Sequence, residues 1–399
     1  MKVGWQTKTL GELAEVFADG DWVESKDQST EGVRLIQTGN VGEGFFKDRG
    51  DKARYISEAT FKRLRCTEIF EGDCLISRLP DPVGRCCLLP DTGERMITAV
   101  DCTIVRFDSK QIIPVFFNYY SQSTDYLDAV DAETSGTTRN RVSRANLGKI
   151  AVPVPPLPEQ QRIVGILDDA FDSIATATAT AEQNLQNARA LFESHLQSVF
   201  TQRGEGWVVK KVSEVAKHSL GKMLDKAKNK GELQPYLRNI NVRWFNFDLS
   251  DLLQMPFLPS ESDKYTAVKG DVLICEGGYP GRAAIWNENY PVYFQKALHR
   301  VRFHEPEHNK WFLYYLYVQD MSGELKQHFS GTGIQHFTSE VLARFEIPLP
   351  PLQELRKAVA KFDELAEETQ RLESLYQRKL AALDELKKSL LHQAFSGAL

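Results

Sequence analysis

No C-x-x-C pair occurs among the six cysteines (66, 74, 86, 87, 102 and 275), and five of the six lie in the first half of the chain. They read as reduced thiols of a cytoplasmic protein, not as a disulfide framework or a zinc site. No apolar run approaches the ~20 residues of a membrane-spanning helix, so no membrane partner is expected. Met1-Lys2-Val3-Gly4-Trp5-Gln6 lacks the pattern of a signal peptide. Charge of one sign is missing as well. With 49 Lys and Arg against 54 Asp and Glu, the formal net charge is −5. Any surface for nucleic acid must therefore be a local patch.

Signatures of catalysis are equally scarce. There is no G-x-x-x-x-G-K-[ST] phosphate loop, and Gly221-Lys222-Met223 is not one. No [DNS]-P-P-[FY] methyltransferase tetrapeptide occurs; Asp81-Pro82-Val83-Gly84 is the nearest stretch and lacks the second proline and the aromatic. Glu24-Ser25-Lys26 has the E-x-K spacing of nucleases, a triplet frequent by chance. The pattern points to recognition, with the chemistry carried elsewhere.

What the sequence does have is a duplication. V-P-V-P-P-L-P-E-Q-Q-R-I from Val152 is answered by I-P-L-P-P-L-Q-E-L-R-K-A from Ile347, and each opens a long run without proline. Pro153 pairs with Pro348 and Phe200 with Phe395, an offset of 195 at both ends. A Pro-rich stop suits the first turn of a new helix, and Glu159 and Glu354 place negative charge near its positive N-terminal end.

In the second copy Leu355, Phe362, Thr369, Tyr376, Leu383 and Leu390 recur every seven residues. Ala358, Leu365, Leu372, Lys379, Leu386 and Gln393 follow each of them by three. That a/d pattern predicts a coiled coil. The offset places Ile163, Leu167, Ala170, Ile174, Ala177, Ala181, Ala188 and Leu191 on the same seam. Small residues of one copy facing large ones of the other suggest that the two helices pair. At ~1.5 Å per residue, forty residues make a rod of roughly 60 Å.

The segments before each long helix repeat too. Short apolar strands alternate with turn signals in both. Asn40-Val41 is answered by Asn241-Val242, Gly72-Asp73 by Gly270-Asp271, Gly84-Arg85 by Gly281-Arg282, and Phe116 to Tyr120 by Trp311 to Tyr315. The offset shrinks stepwise from 202 to 195, as loop insertions in a duplicated unit would make it. The predicted fold class is α+β: two β-rich globular domains related by a pseudo-two-fold axis and joined by two long antiparallel coiled-coil helices. The boundaries read as 1–152, 153–203, 204–347 and 348–399.

Essentially the whole chain resembles the specificity subunit of type I restriction-modification systems. The resemblance rests on the two P-x-P-P-L-x-E motifs (Pro153 to Glu159, Pro348 to Glu354), each preceded by a G-T loop. It implies two target recognition domains, each reading one half of a split double-stranded DNA site. It also implies helical regions that set the spacing and dock two methyltransferase subunits, joined by restriction-translocase subunits. S-adenosylmethionine, ATP and Mg would then belong to the partners and none to this chain. The Pro-rich collars, Pro155, Pro156, Leu157 and Glu159 with Pro350, Pro351, Leu352 and Glu354, are the candidate docking residues.

Base readout requires donors and acceptors on loops. In the first domain the candidates are Gln37, Thr38 and Asn40; Arg78 and Arg85; and Thr137, Thr138, Arg139, Asn140 and Arg141. In the second they are Arg238, Asn239, Asn241 and Arg243; Tyr279 and Arg282; and Thr332, Gln335 and His336. Residues matched between the domains are expected to be scaffold, and unmatched ones such as Arg78, Arg139, Arg141, Arg238, Arg243, Gln335 and His336 to read bases. Lys210, Lys211, Lys217, Lys222, Lys226, Lys228 and Lys230 form the most basic stretch, a candidate phosphate track. The aromatic rows are expected to be core. A protein scaffold with two binding heads on a coiled-coil rod is the alternative that near-neutral charge keeps open.

Overall fold

The computed structural model describes residues 4–136, 140–225, 227–331, 333 and 335–399. The chain divides into two compact units, Met1–Glu182 with Gln377–Leu399, and Gln183–Tyr376. Two 45-residue helices, Leu157–Thr201 and Leu352–Ser396, each contribute to both units.

The first unit holds two four-stranded sheets. One runs Ala14–Asp19, Cys102–Phe107, Cys74–Ser77, Cys86–Leu88 and is antiparallel throughout. The other runs Gln28–Ser29, Tyr55–Ile56, Val33–Ile36, Met96–Thr98, the last pair being parallel. Gln6–Thr9 pairs antiparallel with Ala151–Val154. That short ladder brings the start of the domain to the Pro-rich collar.

The second unit repeats the plan. Its antiparallel sheet runs Ala216–Leu220, Leu298–Phe303, Val272–Cys275, Ala283–Ile285. Its mixed sheet joins Leu253–Phe257, Glu232–Leu237, Val292–Phe294 and Thr266–Ala267, and Val208–Lys211 pairs with Glu346–Leu349. Strands such as Cys74–Ser77 and Val272–Cys275 are buried on both faces, which is why they read as continuous apolar runs.

The aromatic rows are core in both units. In the first, Phe116 and Phe117 are buried, and Phe395 from the end of the C-terminal helix packs on Phe116 and Tyr120 at 5.2 Å each. In the second, Phe200 packs on Trp311 at 4.6 Å and on Tyr315 at 5.2 Å. Each domain is thus closed by the last turns of the helix that belongs, by sequence repeat, to the other copy. Ile163 and Leu167 share the first core with Leu391 and Ala394, while Phe192 and Leu196 share the second with Leu355 and Phe362. Within each unit the two helical segments therefore run antiparallel.

The strict heptad is corrected in two places. Leu191 is 67% exposed, and Phe192 is buried in its stead. Past Tyr376 the covered positions become Leu380, Leu383, Lys387, Leu390 and Ala394, leaving Lys379, Leu386 and Gln393 exposed. A helix of 3.6 residues per turn drifts off a repeat of 3.5, so the contact face moves by one residue.

Candidate nucleic-acid interface

In each unit a three-residue helical turn, Thr38–Asn40 and Asn239–Asn241, follows a buried strand end. The asparagine builds it. The Asn40 side-chain oxygen accepts from the Gln37 amide at 3.0 Å, and its amide group donates to Lys47 O at 2.9 Å. Asn241 does the same with Arg238 and Asp248, both at 2.9 Å. Asn40 and Asn241 are buried and fully used by the backbone; of their two readings, loop candidates for base contact and matched scaffold, the first is corrected and the second holds. Gln37, Thr38 and Asn239 stay partly exposed on the turns they shape.

The Gly-Arg pair after the third antiparallel strand locks that turn in place. Arg85 is buried and donates to five carbonyls: Val41 at 2.8 Å, Thr38 at 3.0 Å, Leu79 at 2.9 Å, Pro80 at 2.6 Å and Pro82 at 3.0 Å. Burial pulls its pKa below the ordinary guanidinium value. Arg282 reaches the equivalent carbonyl, Asn239 O, at 3.1 Å, and lies 4.0 Å from the Tyr279 ring centroid. Arg85 is corrected to scaffold. Tyr279, 63% exposed, remains an outward-facing aromatic with a cation behind it.

Two unmatched cations are also interior. Arg78 is 5% exposed, donates to Val100 O and pairs with Asp19 at 3.2 Å. Lys222 is 6% exposed and joins Pro256 O at 2.9 Å to Glu261 at 2.6 Å. Neither side chain faces solvent, so both are corrected to structural roles. The proposed lysine track is broken further: Lys210 pairs with Glu214 and Lys228 with Asp225, and Lys226 lies outside the described residues.

Other candidates keep an outward position. Arg141 is 44% exposed in its side chain, paired with Asp101 at 2.9 Å, and Asn140 and Gln335 are exposed. His336 is half-buried, exchanging two backbone hydrogen bonds with Ser330 at 2.9 Å. Arg238, by contrast, is turned inward, its side chain only 17% exposed and tied to Asp251 at 2.6 Å, while the exposed Arg243 lies 3.4 Å from Asp248. Thr137, Thr138, Arg139 and Thr332 lie outside the described residues. Among the described residues no cluster of His, Cys, Asp and Glu has the geometry to hold a metal ion, and no helix is long and apolar enough to cross a membrane.

Sequence reasoning missed Arg49, Lys52 and Arg54. All three are exposed beside the Gln37–Asn40 turn. The signal was present: Lys47 to Arg54 holds four cations in eight residues.

The collars divide in the same way. Pro155 and Pro350 are buried, which removes them from any docking surface, while Pro156, Pro351 and Leu352 are exposed. Glu159 pairs with Arg162 at 2.7 Å, and Glu354 accepts the Trp207 indole N–H at 2.9 Å. Gln160, wholly buried, accepts from the Ile113 amide at 2.8 Å and donates to Gln111 O at 2.9 Å and Pro155 O at 2.8 Å.

Comparison with known proteins fits this duplicated architecture. Residues 2–187 and 204–379 both match the family described as type I restriction modification DNA specificity domain. The EcoBI specificity subunit of Escherichia coli is 24% identical over 311 residues, 70% of this chain and 65% of that protein. The chain thus spans just under two thirds of that relative's length. The MjaVIII specificity subunit of Methanocaldococcus jannaschii is 24% identical over 320 residues, 74% of this chain and 73% of that one. Among solved structures, a chain from work on complex assembly and conformational transition of the type I R-M system superposes with a TM-score of 0.81 at 20% identity, covering 100% of this chain and 99% of that one. The HsdS subunit from Thermoanaerobacter tengcongensis gives 0.63 at 19%, covering 100% and 98%. These two likenesses establish the fold. With both of its repeats matched, the chain belongs to the type I restriction modification DNA specificity family.

Proposed function

We propose that this chain is the sequence-reading, non-catalytic subunit of a type I restriction-modification complex. Each unit reads one half of a bipartite site in double-stranded DNA. The helical segments set the distance between the half-sites and dock two methyltransferase subunits, through exposed collar residues such as Pro156, Pro351 and Leu352. Restriction-translocase subunits join that core. Adenine methylation and ATP-driven cleavage belong to the partners, which carry S-adenosylmethionine, ATP and Mg.

One observation carries this reading. The two units build the same turn with the same buried asparagine and the same Gly-Arg lock, yet dress it differently. Thr38-Gly39-Asn40 lies beside Arg49, whereas Asn239-Ile240-Asn241 lies beside Arg243. A constant scaffold under variable polar loops is what two readers of different bases require. The test is methylation by the chain co-purified with its methyltransferase partner. Methyl transfer confined to one split motif supports the reading, and transfer without sequence preference overturns it.

A further inference from the structure

The two units differ in charge beside the matched turn. Asn40 donates to Lys47 O and Asn241 to Asp248 O, both at 2.9 Å, so the chain after Lys47 corresponds to the chain after Asp248. In the first unit that segment is Lys-Asp-Arg-Gly-Asp-Lys-Ala-Arg, four cations against two aspartates. In the second it is Asp-Leu-Ser-Asp-Leu-Leu-Gln-Met, two aspartates and no cation.

The first segment forms one wall of a cleft of about 380 Å³ lined by Arg34, Gln37, Asn40, Arg49, Lys52 and Arg54. Arg34 is neutralised there, paired with Asp48 and, at 2.8 Å, with Glu94. Arg49, Lys52 and Arg54 are different: among the described residues none of the three makes an ion pair. Arg49 also lies against the Thr38–Asn40 turn. A Cβ on Gly39 would lie 2.2 Å from its Nη1, so the glycine lets the guanidinium lie against the turn. The residue matching Gly39 in the second unit is Ile240, 45% exposed, and the aspartates there hold Arg238 and Arg243. Three unpaired cations around a polar cleft form a receptor for phosphodiester oxygens, with guanidinium forks suited to bidentate contact.

We propose that this cleft clamps backbone phosphates, so that the two units hold DNA asymmetrically: the first half-site carries phosphate contacts that the second lacks at the matched position. The inference rests on the DNA-reading role proposed above. It is tested with the complex of full chain and methyltransferase, wild type against the triple variant R49Q/K52Q/R54Q. The probe is a duplex carrying the split motif read from genomic N6-methyladenine. Each neutralised phosphate contributes ~0.9 to the slope of log K against log salt. The triple variant should lose roughly 2–3 from that slope, and ethylation interference should vanish at phosphates of the first half-site only, with the methylated bases unchanged. The variant G39L, which displaces Arg49 but keeps every charge, should weaken interference at the same phosphates.

An unchanged slope, or equal loss at both half-sites, overturns the clamp while leaving the reading role intact. Loss of slope by a complex whose wild type shows no sequence preference retains the clamp and overturns the reading role. A thermal melt of each variant matching wild type excludes misfolding as the cause.

Discussion

Asp73 and Arg106 form a two-pronged ion pair, with Nε and Nη2 at 2.8 and 2.7 Å from the two carboxylate oxygens, and Asp271 and Arg302 repeat it at 2.7 and 2.6 Å. Each aspartate is buried and also accepts a backbone amide, from Phe70 at 2.9 Å and from Val268 at 2.8 Å. The pair ties the turn before one central strand to its neighbour in both domains. Replacing either aspartate with asparagine strands a guanidinium and weakens the amide contact. The arginines are partly exposed, so the expected cost is about 2 kcal/mol. Urea unfolding of D73N and D271N checks it, each destabilising its own unit.

Gly84 and Gly281 occupy the left-handed region, at φ of 87° and 86°. A Cβ on them would lie 2.7 Å from Val130 Cγ1 and 2.3 Å from Leu325 Cδ2. Alanine at either site should therefore cost ~2 kcal/mol in strain and displaced packing. Because Arg85 and Arg282 follow directly, these variants should also raise hydrogen exchange at the Thr38–Asn40 or Asn239–Asn241 turn beyond any global loss.

Gln160 sits where the second copy has Leu355, and both side chains are buried. Gln160→Leu leaves the Ile113 amide and the Gln111 and Pro155 carbonyls without their partner, at a cost of about 2 kcal/mol. Leu355→Gln buries an amide whose partners at the matched site are set up only in the first copy, and should cost a similar amount. Melting curves of the two variants against wild type check both directions.

His299 gives the second unit an acid sensitivity. Burial pulls its pKa to about 4 from the ordinary value near 6.5, while its Nε2 meets Phe337 O at 2.8 Å. The neutral ring is favoured in the fold, so its contribution is fully present above pH ~6.5. It is lost as pH falls toward about 4, when the unfolded chain takes up a proton that the folded one refuses. That window spans a loss on the order of 3 kcal/mol. His299→Gln should flatten stability between pH 6.5 and 4; an equally steep acid loss in the variant would assign it to other groups.

Much of the architecture was legible because duplication writes the same physics twice. Matched Asn40 and Asn241, Asp73 and Asp271, and the aromatic rows could be read as scaffold, and the structure gives each a backbone or core role. Reading failed where a partner far away in sequence decides the outcome. Arg78 reads as a free loop cation until Asp19 and Val100 fold beside it, and Lys222 until Glu261 does. The seam drifted because a strict seven-residue count cannot register a helix turning at 3.6, which is why Phe192 was passed over for Leu191. Arg49, Lys52 and Arg54 were passed over because aspartates dilute their run, and only the fold shows that Asp48 is spent on Arg34.

Single-molecule sequencing of genomic DNA from cells with and without this gene, scoring N6-methyladenine by motif, tests the central claim most directly. The account predicts a split motif, two short specified segments separated by unspecified bases, that disappears on deletion. Arg141→Ala should relax only the segment read by the first unit. Methylation that is identical with and without the gene, in cells where the partner methyltransferase is expressed, would contradict it.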